Sequence, residues 1–228
     1  MRIRRKPWAK PELAQCSYFV PQPDTLKGAW QTRFAAHQPL HLDLGCGKCV
    51  FLAEIAHSQP QVNFVGIDIS YDILGVGRRN IQGLFGEEEP RNLALCAWDI
   101  QRLDQLFAPA EVDRLYINFC NPWPAAGCHK RRLTHTRQLL AYKPLLSPGG
   151  ELWFKTDNDD LYLATKRYLR ESGFQVFFDT QDLHKEDDPE NILTEHEIMF
   201  SAQGIRIKAL RARVAAGKEK SSDIGEQA

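Results

Sequence analysis

Asp43, Asp68 and Asp99 stand at or near the ends of three successive short apolar runs, and the first run leads straight into a glycine pair, Gly45 and Gly47. In Asp43-Leu44-Gly45-Cys46-Gly47 a strand passes through a tight turn into a helical stretch, which aims backbone amides and a helix N-terminus at a ligand on the carboxyl edge of a sheet. A dinucleotide fingerprint needs a third glycine at position 50, where this chain has Val50, so a cofactor without a pyrophosphate fits better. Asp68 lies at the distance where a carboxylate accepts from two ribose hydroxyls. Asp99 can accept from an exocyclic adenine amine, and Asp43 lies beside the loop, near an ammonium group. S-adenosylmethionine presents these donors together with a cationic sulfonium that suits an acidic pocket. Helix capping competes for each aspartate, and an ordinary strand-to-helix turn competes for Gly45 and Gly47.

Cys46-Gly47-Lys48-Cys49 has the spacing of a redox motif or half a zinc site. No second Cys or His pair completes it, so no metal is expected.

The elements that position these residues are legible as an alternation. Apolar, β-branched runs at 41–44, 63–69, 93–98, 114–119, 151–156 and 175–178 interleave with helical spacing at 50–57, 71–85, 132–146 and 160–172, with Pro148-Gly149-Gly150 marking a boundary. Such alternation builds a doubly wound α/β fold, with a mostly parallel sheet and helices on both faces. Runs at 198–200 and 205–207 around Gly204 suggest a closing hairpin, and the fold expected is a mostly parallel, seven-stranded, Rossmann-like sheet with an antiparallel edge strand. Residues 1–40 are proline-bearing and weakly periodic and read as a basic N-terminal extension. Residues 41–216 form the domain, and the polar residues 217–228 read as a disordered tail.

A chain of 228 residues with 43% apolar side chains builds one core. No apolar stretch reaches the roughly 18 residues that cross a bilayer, and no apolar segment follows the basic N-terminus. With six cysteines read as reduced thiols, a soluble cytoplasmic protein with no membrane association is expected. Net charge is zero, which taken alone argues against a nucleic-acid partner. The charges are nonetheless segregated. Arg2, Arg4, Arg5, Lys6 and Lys10 crowd one end, Lys130-Arg131-Arg132 form a run, and Arg206, Lys208, Arg211 and Arg213 recur near the other. Acidic residues gather at 87–89 and 186–190. The basic clusters are either phosphate contacts or solvated faces.

The run at 114–119 leads into Asn118-Phe119-Cys120-Asn121-Pro122-Trp123-Pro124, followed by His129-Lys130-Arg131-Arg132-Leu133-Thr134. Here the chain resembles the bacterial tRNA (guanine-N7)-methyltransferases, class I S-adenosylmethionine-dependent enzymes whose hallmark is Asp-Pro-Trp followed by Lys-Arg-Arg. The resemblance runs from Lys6-Pro7-Trp8-Ala9 to about Arg206. It includes Phe154-Lys155-Thr156-Asp157-Asn158, Asp182-Leu183-His184 and Thr194-Glu195-His196-Glu197 followed by Phe200-Ser201-Ala202-Gln203-Gly204. It implies methyl transfer to N7 of a guanine in the tRNA variable loop. By the same resemblance Asp43, Asp68 and Asp99 are cofactor-binding, Asn121 touches both cofactor and catalytic centre, and Asp157 and Thr194 to Glu197 bind substrate. The chain departs from the family at Asn121, where Asp is usual, and at Ala125-Ala126-Gly127-Cys128, where a basic stretch is usual.

The chemistry gives Asn121 a meaning of its own. Guanine N7 carries an in-plane lone pair and no proton, so its methylation needs alignment rather than a general base, and a nearby carboxylate would stabilise the cationic product. Asn121 offers only a dipole and is expected to orient. Trp123 either stacks on a base or packs beneath the pocket. Glu197 either accepts from the N1 and amine hydrogens of guanine or completes a capping box with Thr194. Asp157 either binds substrate or caps the helix before Leu161. Lys130, Arg131 and Arg132 are expected on tRNA phosphates. Two alternatives remain: an amino-methyltransferase using the Asn-Pro-Trp segment, and a weakly active paralogue that binds tRNA or S-adenosylmethionine.

Overall fold

A computed structural model describes residues 5–214; Arg2, Arg4 and the tail expected at 217–228 lie outside the described residues. Seven strands, β1 (Leu40–Leu44), β2 (Asn63–Asp68), β3 (Leu93–Ala97), β4 (Val112–Asn118), β5 (Leu146–Thr156), β6 (Phe174–Thr180) and β7 (Lys208–Val214), form one sheet in the order β3-β2-β1-β4-β5-β7-β6. Strands β1 to β5 pair in parallel, whereas β7 is antiparallel to both β5 and β6. The antiparallel strand therefore lies one position in from the edge.

All five residues of β1 are buried, as a strand covered on both faces requires. Alternate residues feed two cores. Leu42, Leu115 and Ile117 enter one with Phe154 and Leu161, while Phe64, Tyr116 and Trp153 enter the other with Phe51 and Leu74. The helices α2 (Val50–Ser58), α3 (Tyr71–Phe85), α4 (Thr136–Tyr142) and α5 (Asp159–Glu171) cover these faces.

The described residues before β1 are welded to the domain. Helix α1 (Ala9–Ala14) packs on α3 so closely that a Cβ at Gly75 would meet Ala9 Cβ at 2.5 Å. Trp30 is fully buried and donates its indole N–H to Leu106 O at 2.8 Å. Phe19 bridges Leu95 in parallel, with flanking backbone bonds of 2.8 Å, so the chain covers the exposed edge of β3.

Three expectations change. The hairpin at 198–207 is absent: residues 198–200 belong to helix α6 (Glu195–Ser201), and the final strand is β7. The Thr194 cap starts that helix and outweighs the short apolar run Ile198-Met199-Phe200 that suggested a strand. The helix expected at 132–146 shrinks to α4, because His135 caps it through Arg137 N at 3.1 Å and Pro144 turns its end into a 3-10 turn. Pro148-Gly149-Gly150 is a bulge within β5: Leu146 pairs with Val112 and Glu151 with Arg114, leaving 147–150 opposite Asp113. Asp113 holds that bulge by accepting from Ser147 Oγ at 2.7 Å and from Leu40 N at 2.8 Å.

Candidate active site

The strand order reverses between β1 and β4, and ligands of doubly wound sheets bind at the carboxyl ends beside such a reversal. A pocket of about 210 Å³ opens there. Its walls come from β1 (Asp43), the glycine loop, the end of β4 (Asn118, Phe119) and the start of α6 (Thr194, Glu195, His196).

The loop's shape follows from its residues. Gly45 has φ +80°, a left-handed conformation that a side chain resists. The amides of Gly45 and Cys46 donate to Ile67 O at 2.8 and 3.1 Å, folding the loop over the end of β2. Asp68 clamps it there. Its carboxylate accepts from Gly47 N at 3.3 Å and from Ser70 N at 2.9 Å, tying the loop to the start of α3. Cys49, with φ +57°, leads into α2, and its Sγ lies 3.7 Å from that of Cys46. Among the described residues no cluster of three or more Cys, His, Asp or Glu could hold a metal.

Asp43 is 3% exposed, and among the described residues no cation lies within ion-pair distance of it. Burial, reinforced by the charge of Asp68, pushes its carboxyl up to about 7. Such a group is stabilised by an incoming cation, because a buried carboxylate without a partner is costly. Two residues along β4 from Tyr116, the register partner of Asp43, Asn118 also lines the pocket, and its buried Nδ2 has no hydrogen-bond partner, an unmet donor at the pocket wall. Together they supply an acidic group for a cation and an amide donor for an acceptor.

The mouth is aromatic. Phe119 holds φ +50°, strained for a bulky residue, and its ring stacks on His196 with centroids 5.5 Å apart at 18°. Lys48 of the glycine loop pairs with Glu195 at 2.6 Å across the opening. In the first turn of α6, Glu197 is wholly buried. It completes a capping box with Thr194 and accepts from Lys155 Nζ at 3.1 Å and Asn191 Nδ2 at 2.9 Å, with His184 Nε2 at 2.9 Å. Burial would raise its carboxyl, but Lys155, Asn191 and His184 outweigh that and hold it below the usual carboxylate range.

The sequence-derived residues thus divide. Asp43, Gly45, Gly47, Thr194, Glu195 and His196 line one pocket, and Asp68 supports it from behind. Glu197 does not reach the pocket: both its oxygens are engaged internally, so the guanine-edge role expected for it lacks free lone pairs. Asp99 starts the 3-10 turn Ile100–Gln105 and accepts from Gln101 N at 3.0 Å, a capping arrangement outside the pocket wall. Asp157 is not the cap before Leu161, a task taken by Asn158 at 2.8 Å. Asn121 is exposed, and its Oδ1 accepts from Trp123 N at 3.0 Å, forming a side-chain turn at the head of the acceptor loop.

Lys130 and Arg131 are exposed, Arg131 lying 5.1 Å from the Trp123 ring centroid. Arg132 is not a surface cation. It is 3% exposed and donates to Pro122 O at 2.7 Å and Trp123 O at 3.4 Å, bracing the acceptor loop. Lys208 and Arg211 are likewise consumed. Lys208 bonds Asp157 O and Asp159 at 2.8 Å, while Arg211 pairs with Asp188 and Glu190 and stacks 3.6 Å from the Trp153 centroid. Sequence reasoning missed Asn118 and Phe119 as pocket residues; their place at the end of the fourth run was the available signal.

A family described as putative methyltransferase matches residues 37–210. A Clostridium beijerinckii protein named tRNA (guanine-N(7)-)-methyltransferase is 46% identical over 215 residues, covering 93% of this chain and 98% of its own. One of the same name from Ruminiclostridium cellulolyticum is 43% identical over 216 residues, covering 93% and 92%. Among solved structures, the 16S rRNA methyltransferase KamB aligns with a TM-score of 0.60 at 12% identity over 83% of this chain and 94% of its own. The antibiotic-resistance methyltransferase Kmr gives 0.57 at 19% identity over 83% and 93%. These two likenesses concern the fold.

Proposed function

The chain belongs to the tRNA (guanine-N7)-methyltransferase family, and from that premise we propose that it methylates N7 of a guanine in the tRNA variable loop, using S-adenosylmethionine. The observation that carries the cofactor reading is Asp43, a buried carboxyl without a cation, set beside the glycine loop. S-adenosylmethionine supplies an electrophilic methyl on a cationic sulfonium, together with an ammonium group that an ionised Asp43 would hold. Asp68 fixes the loop amides and leaves its remaining lone pairs for ribose hydroxyls. The Asn118 amide donates to an acceptor on either guest.

The target base has no proton to lose at N7, so these residues need only orient it and exclude water. Phe119 and His196 offer a flat aromatic surface at the mouth, suited to an unstacked base. Exposed Asn121 and half-buried Trp123 stand at the head of the loop by which a large substrate would approach. The exposed cations Lys130 and Arg131 beside that loop would take backbone phosphates.

The test is incubation with bulk tRNA and methyl-labelled S-adenosylmethionine, followed by nucleoside separation. Label in 7-methylguanosine is expected. Label in an amine-methylated nucleoside would replace this reading by amino-methylation, and no label would leave a protein without useful turnover.

A further inference from the structure

The chain's net charge is zero, so its RNA-facing surface must be found among cations that the fold itself has not used. Arg132, Lys208 and Arg211 are committed to carbonyls and carboxylates inside the protein. A different set lies on α5. Leu163, Lys166, Arg167 and Arg170 follow one another at positions i, i+3, i+4 and i+7 and therefore share a face. Leu163 is 61% exposed, and Arg167 and Arg170 are exposed.

This face is concave. One depression is formed where Pro124 and His129 of the acceptor loop meet Leu163 and Arg167. A second is formed by Leu163, Lys166, Arg167 and Arg170 against the start of β6. The two share Leu163 and Arg167, so one groove runs from the acceptor loop down α5, covering about 10 Å along the helix axis between Leu163 and Arg170. Asp160 is the one acid among its lining residues. Arg170 has no ion pair among the described residues, and Arg167 has only Glu171 at 3.6 Å, both half-exposed. Lys166 pairs with Asp179 while 40% exposed. Exposed pairs of this kind are weak and exchange readily for a phosphate.

We infer that this groove holds the phosphodiester backbone of the RNA substrate and leads it away from the reacting base, with Arg167 and Arg170 as the main phosphate contacts. The inference rests on the tRNA-methyltransferase reading of the pocket but assigns a surface that the pocket does not include. Cations lining a channel that starts at the acceptor loop favour a polyanion entering there, and the apolar floor at Leu163 accommodates sugar edges.

The experiment measures tRNA affinity as a function of salt for wild type, Arg167→Ala/Arg170→Ala, Arg167→Lys/Arg170→Lys and Arg91→Ala, an exposed cation outside the groove. Turnover is followed in parallel. The double Ala variant is expected to lose about tenfold or more in affinity and to flatten the salt slope by one to two, since each neutralised phosphate contributes about 0.9 to that slope. The Lys variant should recover most of both, Arg91→Ala should leave tRNA affinity, salt slope and turnover unchanged, and the double Ala variant should keep the cofactor affinity of wild type. Wild-type affinity and slope in the double Ala variant would overturn the groove assignment even if the enzyme methylates tRNA. Loss of affinity in that variant, with no methylation by wild type, would keep the groove and overturn the reaction instead.

Discussion

Lys155 Nζ on β5 lies 3.1 Å from Glu197 Oε2 on α6, with both side chains almost wholly out of solvent, so a buried ion pair ties the wall of the pocket to the sheet. The same ammonium bonds Asn191 Oδ1 and Ile192 O, which fixes the loop leading to Thr194, Glu195 and His196. Lys155→Met leaves Glu197 buried with its main cation gone and should cost about 3–5 kcal/mol in denaturant unfolding. Lys155→Met/Glu197→Gln should regain part of that, because the uncompensated charge is removed too. A Lys155→Met variant as stable as wild type would show that this pair does not hold the wall.

Asp43 gives the pocket a pH signature. Its folded-state value, raised to about 7, exceeds the unfolded value of about 3.9. The ligand-free native state therefore binds an extra proton between these values. The stability this group contributes is full below about 4 and lost as pH rises through 7. A cationic ligand favours the ionised form, so S-adenosylmethionine affinity should rise with pH up to about 7, approaching tenfold per unit, and then level off. Calorimetry on Asp43→Asn should give weaker, nearly pH-independent binding; an unchanged profile would detach Asp43 from the ligand.

Asn121 is exposed, so an aspartate there would escape the desolvation that penalises Asp43. Its Oδ1 bond to Trp123 N is one a carboxylate makes equally well. Asn121→Asp should therefore fold normally and raise the single-turnover rate by roughly tenfold, about 1.4 kcal/mol, through attraction to the cationic product base. Cofactor affinity measured beside it separates ground-state from transition-state gains. A slower Asn121→Asp enzyme with intact fold would instead indicate that the 125–128 segment has been fitted to the amide.

The basic run divides by burial. Lys130→Ala should raise the apparent KM for tRNA and lower the salt slope by about one while leaving saturating turnover alone. Arg132→Ala removes the brace on Pro122 O and Trp123 O and should instead lower turnover and thermal stability. If the two variants behave alike in a salt titration, the division is wrong.

The parallel strands, α2, α3 and α5 were legible because their periods are unambiguous and because glycines or caps mark their ends. The region after β6 was not. Ile198-Met199-Phe200 is a short apolar run that suits a strand, yet the Thr194/Glu197 capping box, legible in the spacing as one alternative, starts a helix there, and the buried bonds of Glu197 to Lys155 and His184 hold it in place. Those partners are distant in sequence, which local spacing cannot register. For the same reason Glu197 looked like a base-reading carboxylate and Arg132 like a phosphate contact. Each is a charge whose counterpart is brought in by tertiary packing. The place of Asp43 and the glycine pair on the pocket wall was legible because it depends only on the end of one strand.

The proposed acceptor is N7 of one guanine, which reacts without a general base. A tRNA transcript carrying 7-deazaguanosine at the variable-loop target differs from the normal substrate by replacement of that nitrogen with carbon. With labelled S-adenosylmethionine, transfer to this transcript should fall to background while it still binds and competes against normal tRNA. Transfer at the normal rate would place the methyl on another atom and contradict the account.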